Sequence, residues 1–330
     1  MRRRDFIVLV GSTGAAWPVV ARAQRSERMR RIGVLLGLPP SDPVGEAEVA
    51  ALGQALDKLG WVHGRTAQIT YRWAGVSAAG LRASAGELID LSPEVIISRG
   101  TPATAALMQQ TKAIPIVFTV VAEPITGGLV ASLARPGGNI TGFTNVEPSI
   151  GGKWLELLKE MAPRISRVAL IFNPTTAPYA GPFVQFAKAA ASSLGVEATA
   201  TPVHREAEIE NTVIRLAHTP DSGLVCITDS FMTSHRALIV ELANKYRLPA
   251  IYPFPLFVSG GGLMSYGVDT VDMGQRAASY IDRILRGEAP ANLPVQLPTK
   301  FNLMINLKAA KAIGLEVPLF LQQRADEVIE

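Results

Sequence analysis

A single cysteine, Cys226, stands in the 330 residues, so an intrachain disulfide is excluded whatever the redox state of the compartment. It sits in the apolar run GLVCIT, which predicts a buried, inert thiol. Histidine is also scarce. His63, His204, His218 and His235 share no spacing suited to a metal and none is paired with the cysteine, so neither metal nor cofactor is expected. The chain has no G-x-S-x-G elbow, no G-x-x-x-x-G-K-[ST] phosphate loop and no G-x-G-x-x-G turn. The triplet Gly260-Gly261-Gly262 reads as a turn. With no nucleophile or general base to propose, an enzyme is not expected.

The basic excess is equally uninformative. The first 24 residues, MRRRDFIVLVGSTGAAWPVVARAQ, run from arginines through an apolar stretch to Ala21-Arg22-Ala23, the pattern of a secretory leader cleaved near Ala23. The arginine pair before Asp5, Phe6 and Ile7 has a twin-arginine character. The apolar stretch is shorter than the roughly 20 residues of a membrane-spanning helix and contains Pro18, which argues against an anchor. Removing residues 1–23 takes away four arginines and one aspartate, leaving 28 basic against 27 acidic residues. Without a basic block interleaved with aromatics, nucleic acid is not an expected partner.

What the remaining chain does have is a repeated order of β-rich runs and helical patterns, the mark of parallel α/β sheets. RIGVLLG, AQITYRWA, EVIISRG and IPIVFTV in the first half match RVALIFN, EATATPV, GLVCITD and LPAIYPF in the second. Arg31 to Arg167, Gly60 to Gly195 and Pro115 to Pro249 are 136, 135 and 134 residues apart. Two similar doubly wound lobes are predicted: residues 24–143 with about 269–294 in one, 144–268 in the other, and 295–330 unassigned. ARPGGNITGFTN and SGGGLMSYGVD mark the crossings, and the helix from Val271 to Arg286 is expected to pack back on the first lobe.

Ligands of open parallel sheets bind at the carboxyl ends of the strands. The tips then give the candidate site: Ser41, Ser98, Gly100, Thr101 and Glu123 from the first lobe, Asn173, Asp229 and Tyr252 from the second. Thr101 can cap a helix starting at Pro102, while Gly100 admits a ligand to the main chain and free helix N–H groups favour an anion such as a carboxylate. Asp229 can accept from a ligand ammonium or cap the helix after Ser230. Tyr252 and Phe254 can stack on a ligand or pack the turn between Pro253 and Pro255.

Nearly the whole chain resembles the tryptophan-binding-like substrate-binding proteins of ABC transporters, of type I periplasmic binding protein architecture. The most specific runs are LARPGGNITGF and LPVQLPTKFNLMINLKAAKAIGL, with GTPATAAL, GKWLELLKE and RVALIFNP beside them. That resemblance implies a monomeric, periplasmic protein that closes on a small-molecule ligand. It also implies delivery to an ABC permease in the inner membrane with its cytoplasmic ATPase. By position it carries Gly100, Thr101, Glu123, Asn173 and Asp229 as site residues. Arg99 stands where a small residue is usual and Glu123 where Asp is, and an arginine at the mouth points to a more acidic ligand. An enzyme acting in the same cleft is the alternative. A ligand-sensing regulator core would need a helix-turn-helix where the leader stands.

Overall fold

A computed structural model of the chain describes residues 29–330; the expected leader lies outside the described residues. The first lobe runs β1 (Arg30–Leu36), α1 (Pro43–Lys58), β2 (Ala67–Trp73), α2 (Ala78–Asp90), β3 (Val95–Arg99), α3 (Thr101–Gln110), β4 (Ile116–Val121) and β5 (Ile140–Thr144). Its five parallel strands lie in the order β2-β1-β3-β4-β5. Every residue of β3, β4 and β5 is buried, because parallel strands are covered by helices on both faces. Leu35, Ile96 and Phe118 pack with Leu81, Leu88 and Leu107 of α2 and α3. Ile32, Val34 and Ile97 belong to the core that includes Leu52 and Leu56 of α1.

The second lobe runs α4 (Ile150–Met161), β6 (Arg167–Phe172), α5 (Ala180–Leu194), β7 (Glu197–Pro202), α6 (Glu206–Ala217), β8 (Ser222–Cys226), α7 (Ser230–Ser234), α8 (Arg236–Lys245), β9 (Ala250–Tyr252), α9 (Pro255–Ser259) and β10 (Met264–Gly267). Gly195 ends α5 in a left-handed conformation that glycine adopts without strain. Cys226 is fully buried, and burial followed by the charge of Asp229 pushes its thiol pKa well up. The thiol is therefore inert at neutral pH.

After β10 the chain returns. Helix α10 (Thr270–Leu285) lies on α1, where Gly274 comes so close that a Cβ would sit 3.2 Å from the Glu48 carbonyl oxygen. Its Tyr280 ring meets Phe143 at 4.8 Å, and Trp61 Nε1 donates to Asp282 at 2.9 Å. Residues 293–296 run alongside β5, with Gln296 N donating to the Gly142 carbonyl at 2.9 Å. The chain then crosses a third time. β11 (Asn302–Asn306) pairs antiparallel with β10, followed by α11 (Leu307–Ala312), α12 (Leu319–Arg324) and β12 (Glu327–Ile329), which pairs parallel with β11. The second sheet thus has seven strands, β12-β11-β10-β9-β8-β6-β7. Residues 302–329 of the segment that the sequence leaves unassigned lie on the second lobe.

Candidate functional site

At the first-lobe edge, β3 ends in Arg99 and the backbone turns at Gly100, whose φ of +89° is costly for any residue with a side chain. Gly100 N donates to the Thr119 carbonyl at 2.9 Å, fixing the turn against β4. Helix α3 begins at Thr101 itself, with Gly100 as its N-cap and no side-chain cap. The expected capping role of Thr101 is therefore not realised: once the residue is inside the helix, its hydroxyl is past the cap position. Its Oγ1 is buried and has no hydrogen-bond partner. Ser98 lies beneath the turn, its hydroxyl 2.8 Å from that of Thr104, so it supports the tip without facing the cleft.

Arg99 points inward. Its guanidinium holds the Glu48 carboxylate of α1 with two prongs, at 2.6 and 3.1 Å. An arginine at the mouth, with the acidic ligand it suggested, is thus corrected to a buried, neutralised pair. A guanidinium leaving water needs a planar carboxylate partner, and α1 supplies one.

Asp229 organises the second-lobe edge. It accepts from Asn173 N at 2.7 Å, from Phe231 N at 2.9 Å and from the Thr176 hydroxyl. Its capping of α7 is realised, and one carboxylate ties the β6 tip to the β8 tip. Burial pushes its pKa up to about 6, only partly opposed by those hydrogen bonds and by His235. Tyr179, just ahead of α5, donates to the Thr228 carbonyl at 3.1 Å. Burial and then the Asp229 charge push the phenol pKa far up, so it stays a donor.

The two edges meet. A Cβ on Gly100 would lie 3.0 Å from Ser230 Oγ, and Thr101 sits beside the Tyr179 hydroxyl, though without hydrogen-bonding geometry. Asn145, at the first crossing, donates from Nδ2 to Thr228 Oγ1 at 3.0 Å, while its Oδ1 is buried and unpartnered. Asp42 of the first lobe pairs with Arg236 of the second at 2.7 Å. The lobes are closed on each other here.

Of the residues expected from sequence, Gly100, Thr101, Asn173 and Asp229 come together at this junction. Glu123, at φ +50°, accepts from Thr126 at 3.2 Å and lines a crevice of about 340 Å³ whose walls come from both lobes, Ile125 on one side and Phe186 on the other. Ser41 is exposed in the turn before α1. Tyr252 is 1% exposed and stacks on Phe257 at 4.9 Å, so it packs the lobe core and offers no wall to the cleft. Sequence reasoning missed Glu48, Asn145, Tyr179 and Arg236. Only Asn145 carried a signal, at the end of the first Pro/Gly-marked crossing. Among the described residues no group of three His, Cys, Asp or Glu side chains is placed to hold a metal, and no helix is long and apolar enough to cross a membrane.

Residues 39–329 match the family described as ABC transporter substrate binding protein. A tyrosine-binding protein of Clostridioides difficile (strain R20291) is 26% identical over 293 residues, 88% of this chain and 83% of the relative. A Streptococcus pneumonia ABC domain in complex with L-Trp superposes with a TM-score of 0.84 at 24% identity, covering 92% of this chain and all of that one. The ligand-free, open structure of a Clostridium difficile substrate-binding protein with adhesive properties gives 0.67 at 25% identity, covering 91% and 99%.

Proposed function

We propose that this chain, which belongs to the ABC transporter substrate-binding protein family, is an exported protein that captures a small amino-acid-like solute. It closes its lobes on that solute and hands it to a membrane permease driven by a cytoplasmic ATPase. One observation carries the ligand reading: Thr101 Oγ1 and Asn145 Oδ1 are buried at the lobe junction without partners. Buried polar atoms are nearly always satisfied, and these two, unlike the orphaned Tyr252 hydroxyl in the second-lobe core, lie where the lobes meet, so each is a place for a ligand group. Asn145 Oδ1 requires a donor such as an ammonium. Thr101 Oγ1 and the first N–H groups of α3, which lack intrahelical acceptors, suit a carboxylate.

The charges favour a ligand of no net charge. Arg99 is neutralised by Glu48 and Arg236 by Asp42, while Asp229 already accepts three hydrogen bonds within its own lobe. The tyrosine- and L-Trp-binding relatives make aromatic amino acids the first compounds to try. Closure provides the transport signal, because a ligand touching both lobes stabilises only the state in which they meet.

Native mass spectrometry of the protein lacking residues 1–23, followed by titration with L-tryptophan and L-tyrosine, tests the proposal. Retention of a small zwitterion, or saturable binding with compaction in small-angle scattering, is the expected result. An empty protein that ignores both amino acids and keeps one scattering profile would overturn it.

A further inference from the structure

We propose that Asp42 and Arg236 form a latch across the cleft, a pair of positioning residues that touch each other only when the lobes are closed. The proposal rests on hinge closure for its purpose, but not on the identity of the ligand.

Asp42 ends the turn between β1 and α1. One carboxylate oxygen, Oδ1, is committed to the first turn of α1, accepting from Val44 N at 3.0 Å and Gly45 N at 3.5 Å. The other, Oδ2, accepts from Arg236 Nη1 at 2.7 Å. Arg236 opens α8 on the opposite lobe, and the same nitrogen also donates to the Thr233 carbonyl at 3.0 Å, which aims the guanidinium. The Asp42 side chain is 3% exposed and that of Arg236 19%, so the pair is largely withdrawn from water.

The two residues are 194 positions apart, and the contact joins the cap of α1 on the first lobe to the start of α8 on the second. A rotation that moved Gly100 away from Ser230 would also part Asp42 from Arg236, since each partner is anchored to its own lobe by main-chain hydrogen bonds. The pair therefore adds stability to the closed arrangement alone, and shifts the equilibrium by the difference in interaction between the two states.

The geometry also predicts an asymmetry. Removing Arg236 leaves a buried carboxylate oxygen without a counter-charge when the lobes close, which penalises closure beyond the loss of the pair. Replacing Asp42 by Asn removes that charge but keeps a side-chain oxygen to cap α1, and leaves Arg236 able to reach water.

The test measures the distance between lobes directly. Spin labels are placed at Lys58→Cys and Lys245→Cys, both exposed, in a Cys226→Ala background. Double electron–electron resonance is recorded with no addition and with L-tryptophan as the probe. The expected result is a closed-to-open ratio lowered at least about fivefold by Arg236→Gln, the top of the range for exposed pairs, because the buried Asp42 oxygen loses its counter-charge as well. Asp42→Asn should lower it less, and Arg236→Lys should recover most of it. Added salt should lower the ratio in the parent protein and not in Arg236→Gln. Identical distributions for the parent and Arg236→Gln, or a parent with no closed population in either condition, overturn the latch. A change confined to the thermal midpoint does so as well. If L-tryptophan moves no distribution while Arg236→Gln still opens the protein, the ligand reading fails and the latch stands.

Discussion

The Arg99 guanidinium grips the Glu48 carboxylate with Nε at 2.6 Å and Nη2 at 3.1 Å, both side chains almost wholly buried under the first-lobe tip. Arg99→Met would leave Glu48 charged and unpaired, a loss of about 3 to 5 kcal/mol. Urea unfolding should show that loss, with most of it recovered in the Glu48→Gln/Arg99→Met double variant. Because Arg99 Nε and Nη2 are both committed to Glu48, the double variant should bind L-tryptophan within about threefold of the parent, or about 0.7 kcal/mol.

The buried Thr101 hydroxyl makes no hydrogen bond of good geometry within the protein, its polar neighbour being the Tyr179 hydroxyl. Thr101→Val should therefore leave unfolding free energy within about 1 kcal/mol of the parent, and even raise it, since an orphaned buried group is removed. Affinity for L-tryptophan should fall about tenfold, equivalent to about 1.4 kcal/mol. Calorimetric titration beside a denaturant curve checks both; a stability loss with unchanged affinity would place the hydroxyl outside the ligand contacts.

Gly100 combines a φ of +89° with an imagined Cβ 3.0 Å from Ser230 Oγ across the junction. Gly100→Val should cost about 1 kcal/mol or more in backbone strain and also wedge the lobes apart. Its affinity should drop at least tenfold, about 1.4 kcal/mol. Part of that should return on adding Ser230→Gly, because only the wedge, and not the strain, is relieved. Surface plasmon resonance on the pair of variants separates the two effects.

For Asp229 the sign follows from a folded pKa pushed up to about 6 from the ordinary aspartate value of 3.8. The folded state binds the proton more tightly than the unfolded chain, so this group's contribution is full below about pH 4. It is lost as pH rises through about 6, on the order of 3 kcal/mol. Urea midpoints measured from pH 4 to 7 should fall along that window. Asp229→Asn should remove this component of the slope while costing stability elsewhere, since an amide cannot accept from Asn173 N, Thr176 and Phe231 N as a carboxylate does.

The first-lobe strands were legible because burial on both faces writes itself as an unbroken apolar run. IPIVFTV became β4 and EVIISRG became β3, each buried throughout. The helix expected from Val271 to Arg286 is α10, one residue earlier at each end, and it does return to α1. Half of the tips were legible as positions: Gly100, Thr101, Asn173 and Asp229 lie together, whereas Ser41, Ser98, Glu123 and Tyr252 lie elsewhere. Their roles were less so. Whether Thr101 capped a helix depended on a one-residue shift in where α3 starts, and whether Asp229 met a ligand or its own lobe depended on how near the β6 tip comes to the β8 tip.

The sequence by itself determined the alternation of strands and helices, the doubling at a spacing of about 135 residues, and the family runs. These are local or periodic signals, set by side-chain burial within a few residues. Only the tertiary structure decided where charges end. Arg99 finds its carboxylate 51 residues away on a helix packed over its strand, and Asp42 finds Arg236 194 residues away on the other lobe. It also decided the third crossing and the antiparallel β11. Such pairings follow from which helix covers which strand tip and how far the lobes close, distances that no local pattern encodes.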